Sequence, residues 1–223
     1  MLEPSKNSDY PVILKLAGRL VVIVGAGQVG QRKLKGVLNT GARVRVIDPT
    51  ITKESPDTRV EFLPRPYKSG DLAGADLVFI CTNSPAINQS IAEDAKKLSV
   101  WCCRSDHSGS NDFTLPAVLR RNDLTVTVST GGGSPGLAVL LRDDLSEKIP
   151  DSWGIAIEII AAIRRKWLTG HSEVQYNQEV LHYLLDQEFM LLITHKKVKK
   201  IDQLLISQFS LGFSLKELQV QIN

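Results

Sequence analysis

The sequence predicts an α/β fold: a parallel sheet covered by helices, then a short mixed segment, then an all-helical C-terminal part. Three observations predict it. Buried-type strands alternate with helical periodicity to about residue 113, a glycine-rich strand-loop-helix piece follows, and only helix-type periodicity is present beyond residue 151. With 223 residues, 43% apolar and 23% charged, the chain can bury a core without disulfide staples.

Leu20 to Val24 is a continuous apolar run that breaks at Gly25-Ala26-Gly27, the pattern of a strand buried on both faces and ending in a tight turn. A helix is expected over Val29 to Leu38, stopped by Asn39-Thr40-Gly41, and a second strand over Arg43 to Ile47, ending in Asp48-Pro49. Together they form a βαβ unit. Further strands are expected at Val60 to Phe62, Leu77 to Thr82 and Val100 to Cys103, with a helix from Ala86 to Leu98. Right-handed crossovers place these in one parallel sheet. After Pro116, Ala117 to Arg121 reads as short and helical, Leu124 to Ser129 as a strand, and Gly136 to Lys148 as a helix. Helices are then expected over Trp153 to Leu168, Glu173 to Leu192 and Ile201 to Val220. The resulting division is 1–113, 114–150 and 151–223.

The 27 basic and 24 acidic residues are interspersed, and the one basic run, Lys196, Lys197, Lys199 and Lys200, reads as a solvated face, so no nucleic-acid partner is expected. The apolar stretch from Trp153 to Ile163 is too short for a bilayer, so no membrane crossing is expected. Cys81, Cys102 and Cys103 lack CxxC spacing and the Met1 end lacks a leader pattern, which reads as a reduced, cytoplasmic chain. Cys102 and Cys103 suit either packing in a strand or a thiophilic metal, and the strand context favours packing. His171, His182 and His195 show no metal-ligand spacing.

Gly25, Gly27 and Gly30 form G-A-G-Q-V-G directly after a strand and at the start of a helix, a context that makes this motif a dinucleotide site of the Rossmann type. The backbone of Gly25, Gly27, Gln28, Val29 and Gly30 would carry the pyrophosphate at the helix N-terminus. Asp48, at the end of the second strand, can accept hydrogen bonds from the adenosine ribose and would repel a 2′-phosphate, which favours NAD over NADP. Arg43, Arg45 and Lys53 lie close enough in sequence to leave a case for NADP. Thr82 and Asn83 follow a strand at the carboxyl edge, where such sheets bind ligands; Asn83 and Ser84 suit a turn with Pro85 equally well. In Ser129-Thr130-Gly131-Gly132-Gly133-Ser134-Pro135, backbone N–H groups and hydroxyls could cradle acidic groups, or Ser134 and Pro135 could simply open a helix. Arg120, Arg121 and Arg142 are candidates for carboxylate pairing, with surface solvation as the alternative.

The opening V-V-I-V-G-A-G-Q-V-G-Q-R-K, then D-F-T-L-P-A, then V-S-T-G-G-G-S-P-G-L-A-V-L-L-R resemble the precorrin-2 dehydrogenase family in order and spacing, over roughly residues 10 to 165. The resemblance implies an NAD-binding Rossmann domain, a central dimerisation segment and a helical domain, in a homodimer whose active sites lie between domains. It implies oxidation of precorrin-2 to sirohydrochlorin and, in bifunctional members, insertion of ferrous iron to give siroheme. It also implies that an aspartate seven residues before the phenylalanine of F-x-x-P-A is the acid/base residue; Asp106 holds that position relative to Phe113. The glycine loop of Ser129, Thr130, Gly131, Gly132 and Ser134 would then face an eight-carboxylate substrate. Cys102-Cys103-Arg104-Ser105 before the aspartate and His107 after it depart from the family pattern, which bears on chelatase activity more than on dehydrogenation. Alternatives from other classes are a nucleotide-sensing module, which would lack the S-T-G-G-G-S-P segment, and a helical adaptor with a vestigial Rossmann part, against which the intact glycines and Asp48 stand. Within the enzyme class the alternative is a dehydrogenase without chelatase activity.

Overall fold

The computed structural model describes residues 9–52, 55–106, 111–169, 184–209 and 212–222. The chain divides into two compact units, the first ending at Leu115 and the second beginning at Pro116.

The first unit is a five-stranded sheet of β1 (Leu20–Val24), β2 (Arg43–Ile47), β3 (Val60–Leu63), β4 (Leu77–Ile80) and β5 (Trp101–Arg104), in the order β3-β2-β1-β4-β5 with every pairing parallel. Helices α1 (Gln28–Leu38) and α2 (Pro85–Lys97) cover it. Alternate residues of β1 serve opposite faces: Val21 and Ile23 join Val37 of α1 and Val44 and Val46 of β2, whereas Val22 and Val24 join Ile91 and Ala95 of α2. This two-sided burial is why the strands read as unbroken apolar runs. The chain leaves β1 toward β2 and β3 and then returns to β4 on the other side. The carboxyl ends of β1 and β4 therefore border the crevice at which such sheets take ligands.

The outer edge of β5 is closed from within. Cys102 N–H donates to the Asp112 carboxylate at 2.8 Å and Asp112 N–H donates to Cys102 C=O at 3.0 Å. Asn111 accepts from Arg104 N–H at 2.8 Å and donates to Arg104 C=O at 3.2 Å. The next residue, Phe113, packs edge-on against Phe79, with ring centroids 5.6 Å apart.

In the second unit, β6 (Ala117–Arg121) and β7 (Leu124–Val128) form an antiparallel hairpin. Ala117 to Arg121 is thus a strand, not the expected helix: each of its residues pairs with β7, from Ala117 opposite Val128 to Arg121 opposite Leu124. Pairing across a tight two-residue turn outweighs the weak helix preference of Ala, Leu and Arg. Helices α3 (Pro135–Lys148), α4 (Ser152–Thr169), α5 (Gln187–Thr194) and α6 (Val198–Phe209) follow. Ile159 and Ile163 of α4 pack with Phe189 and Ile193 of α5 and Ile201 and Leu205 of α6. Most of the helix expected from Glu173 lies outside the described residues; within them, Asp186 accepts a 2.7 Å bond from Gln187 N–H and starts α5. The last expected helix, Ile201 to Val220, stops at Phe209. Past it, Ser214 and Glu217 bond each other and Leu215 N–H turns to the Asp202 carboxylate at 2.7 Å, so Leu215, Leu218 and Val220 reach the same core from turns. Among the described residues no helix is long and apolar enough to cross a membrane.

Candidate functional site

The site is built on the carboxyl edge of the first unit's sheet. Gly25 ends β1 with φ +102°, and a side chain there would press against Cys81 C=O. A side chain at Gly30, on α1, would collide with Gly25 C=O. These two glycines therefore let α1 begin directly over the end of β1, as a phosphate-binding turn requires. Gly27 caps α1 without any side-chain acceptor, and no acidic residue lies in its first turn. The N–H groups at Gln28, Val29 and Gly30 thus open the helix with their dipole uncompensated by the chain, a donor set suited to a dinucleotide pyrophosphate. By contrast, Ser84 caps α2 and Ser134 caps α3, each followed by a proline at the first helical position.

Asp48 stands at the end of β2, beside this turn. Its carboxylate accepts from Ala26 N–H at 2.6 Å, Thr50 N–H at 2.7 Å and the Thr50 hydroxyl at 2.6 Å. Partial burial pushes its titration up, but these bonds outweigh it and hold the group below the ordinary carboxylate value. Asp48 is therefore an anion that ties the glycine loop to β2. Arg43 opens the strand and Arg45 is its middle residue: Arg43 donates to Gly18 C=O at 3.3 Å, and Arg45 pairs with Glu61 at 2.6 Å and donates to Asp71 C=O at 2.9 Å. Both side chains thus have partners within the chain. Lys53 lies outside the described residues.

Two residues beyond the end of β5, Asp106 lies in a web of donors. Arg104 places Nε 3.1 Å from Oδ1 and Nη2 3.2 Å from Oδ2, while Asn88 Nδ2 lies 2.9 Å from Oδ2. Asn88, fully buried on α2, also donates to Thr82 C=O at 3.1 Å and accepts from the Thr82 hydroxyl at 2.5 Å. One network thus links Thr82, Asn88, Asp106 and Arg104, while the adjacent Asn83 is exposed. The hydrogen bonds from Arg104, then that from Asn88 and the Arg104 charge, outweigh partial burial and bring Asp106 down to about 2. Its side chain remains 28% exposed. The arrangement can present an ionised carboxylate to a substrate as proton acceptor or as counter-charge. Arg104 and Asn88 were not singled out from sequence as site residues. The available signal was spacing, since residues two apart on a strand share a face.

In the second unit, the Ser129–Ser134 loop is shaped by its own polar groups. Gly131 N–H donates to the Ser129 hydroxyl at 3.3 Å and Ser134 N–H to the Thr130 hydroxyl at 3.1 Å, with Leu137 N–H bonded to Ser134 at 3.3 Å. Each hydroxyl keeps its own proton to donate; Gly132 lies at the exposed tip with φ +81°. Arg121, expected as a possible carboxylate partner, pairs with the Asp151 carboxylate at 3.0 Å and also bonds the end of α3 through Ile149 C=O at 2.9 Å and Ser146 C=O at 3.1 Å. Arg142 pairs with Asp143, and Arg120 is exposed on β6. The three cysteines are free and buried; burial pushes Cys81 up to about 11 and Cys102 to about 12, so both are neutral packing groups. Among the described residues no group of three or more His, Cys, Asp or Glu could hold a metal. His107, His171 and His182 lie outside the described residues.

Fold and site define a Rossmann protein of the dinucleotide-binding class, and a family model described as putative NAD(P)-binding matches residues 12–117. The chain is 34% identical over 163 residues to a siroheme synthase of Pseudomonas putida (strain W619), covering 71% of this chain and 35% of that relative. It is 35% identical over 174 residues to a siroheme synthase of Nitrosomonas eutropha (strain DSM 101675 / C91 / Nm57), covering 76% and 36%. The chain thus spans about a third of the length of the curated relatives it matches. It shares its fold with the structure of SirC, precorrin-2 dehydrogenase, at a TM-score of 0.68 and 24% identity over 87% of this chain and 100% of that one. Over the matched residues this chain is similar to part of the siroheme synthases.

Proposed function

We propose that the chain is an NAD-dependent dehydrogenase that oxidises precorrin-2 to sirohydrochlorin in siroheme biosynthesis. One observation carries the reading: an anionic Asp106 sits on the same carboxyl edge as the uncapped glycine turn and Asp48. Bound NAD⁺ would supply the hydride acceptor. Gly25, Gly27, Gln28, Val29 and Gly30 would hold its pyrophosphate and Asp48 its adenosine ribose, with Thr82 and Asn83 lining the edge between Asp48 and Asp106. Asp106 takes the proton that must leave the macrocycle when hydride leaves, so the products are sirohydrochlorin, NADH and one proton. Ser129, Thr130, Gly131, Gly132 and Ser134 would donate to substrate carboxylates.

The partner is a second copy of the chain, joined through the 114–150 segment. Supporting this, α3 leaves Leu137, Val139, Leu140 and Leu141 exposed. Iron insertion into sirohydrochlorin is a separate activity, measured by supplying sirohydrochlorin and ferrous iron without NAD⁺.

The test of the main reading is anaerobic incubation with precorrin-2 and NAD⁺, following sirohydrochlorin in the visible spectrum and NADH at about 340 nm, the band of the reduced nicotinamide. Both signals are expected to rise together. Asp106→Ala should keep NAD⁺ binding and lose turnover by about a hundredfold or more. NAD⁺ binding without either signal would favour a sensor.

A further inference from the structure

We propose that Arg104 is the positioning residue of this site: its buried guanidinium fixes Asp106 in one orientation as an anion, so the macrocycle gives up its proton only after hydride has left. The proposal rests on the dehydrogenase reading above.

The geometry supports a fixed role. The Arg104 side chain is only 6% exposed, and two of its nitrogens meet the two oxygens of Asp106, which sets the plane of the carboxylate. Its remaining nitrogen, Nη1, is held by Gln89 Oε1 at 2.7 Å, and its backbone is bonded on both sides by Asn111. The guanidinium therefore has no second position to move to without breaking this set. Asn88 adds a further donor to Oδ2, which leaves the exposed part of the carboxylate as the face open to a substrate. Among the described residues, the titratable groups that act on Asp106 are Arg104 and the neutral Cys102 thiol, both on β5. From α2 come the uncharged amides of Asn88 and Gln89, the latter donating to Glu93 at 3.0 Å.

The order of steps follows from this charge state. A carboxylate so strongly ionised is a weak base toward a neutral pyrrole N–H. It is a good counter-charge for a cation. Loss of a hydride, which bound NAD⁺ would accept, would leave the macrocycle a cation with acidic N–H protons. Asp106 then accepts one proton and releases it to water. Metal insertion offers no such prior cation, since two protons must leave a neutral macrocycle, and the guanidinium opposes an approaching divalent ion. The wild-type chain is therefore expected to leave ferrous insertion at its uncatalysed rate.

The experiment uses the full chain as wild type, Arg104→Gln and Arg104→Lys. Carbon-detected NMR follows the Asp106 carboxyl, assigned with Asp106→Asn, and kcat and KM are measured against pH with precorrin-2 and NAD⁺. Arg104→Gln should move the Asp106 midpoint up by about one pH unit or more. It should lower kcat about tenfold with KM for NAD⁺ within about twofold. Arg104→Lys keeps the charge but not the fork, and should restore the midpoint but only part of kcat. An unmoved midpoint in Arg104→Gln, or rapid Asp106-dependent iron insertion by the wild type, would overturn the proposal. The NMR titration needs no turnover: if the wild type fails to oxidise precorrin-2 the functional reading falls, and the midpoint still decides whether Arg104 fixes the charge.

Discussion

At the scale of single residues, the site depends on carboxylates whose bonds are already made by the chain. Asp48 is bonded to Ala26 and Thr50, so its loss leaves the glycine loop without an acceptor and, on the proposed reading, removes the contact to the adenosine ribose. Asp48→Ala should weaken NAD⁺ binding about tenfold, the scale of one charge-assisted hydrogen bond, and narrow the preference over NADP⁺. Titration calorimetry with both cofactors measures this. Asp71, held by Arg65 through two 2.8 Å bonds, and Asp106, held by Arg104, likewise titrate below their ordinary values. For groups depressed on folding, the stabilisation is present above the unfolded value near pH 4 and is lost as pH falls through the folded one. The first unit should therefore lose stability between about pH 4 and 2, and Asp106→Asn should shallow that slope in acid-unfolding curves. Asp106 was singled out only through the family resemblance, by its place seven residues before Phe113, whereas Arg104 registered only as a departure from pattern. Its meaning lies in a bond from residue 104 to residue 106 that spacing permits but does not dictate.

At the scale of elements, chain entry into α2 and α3 is set by Ser84 and Ser134, each with a proline next. Ser84→Ala and Ser134→Ala should each cost about 1 kcal/mol in urea unfolding. The equivalent position before α1 is a glycine without a side-chain acceptor, so it has no such stabilisation to lose. The parallel sheet was legible because two-sided burial writes itself as apolar runs such as Val21 to Val24. The hairpin was only half legible. Leu124 to Val128 alternates Leu and Val with Thr, but Ala117 to Arg121 has the composition of a helix. Its strand state comes from the partner that Asn122, with φ +51°, folds back upon it. The early end of α6 has the same origin, because Asp202 and Glu217 capture N–H groups that a longer helix would have used.

At the scale of the whole molecule, the exposed apolar side chains of α3 are the feature least suited to a solitary chain. Leu140 is 68% exposed, with Leu137 and Leu141 beside it. If a second copy covers them, Leu140→Glu should convert the dimer to monomer in sedimentation measurements, because a desolvated carboxylate has no partner there.

The closure of β5 has a further consequence for the protein in solution. Asn111 and Asp112 occupy amide and carbonyl positions that an outer strand normally offers to any extended peptide nearby. The segment that orders the approach to Phe113 is also a stop on strand templating. On that side the sheet cannot be extended by a neighbouring or half-folded chain, so crowding during synthesis finds no nucleus there for fibre growth.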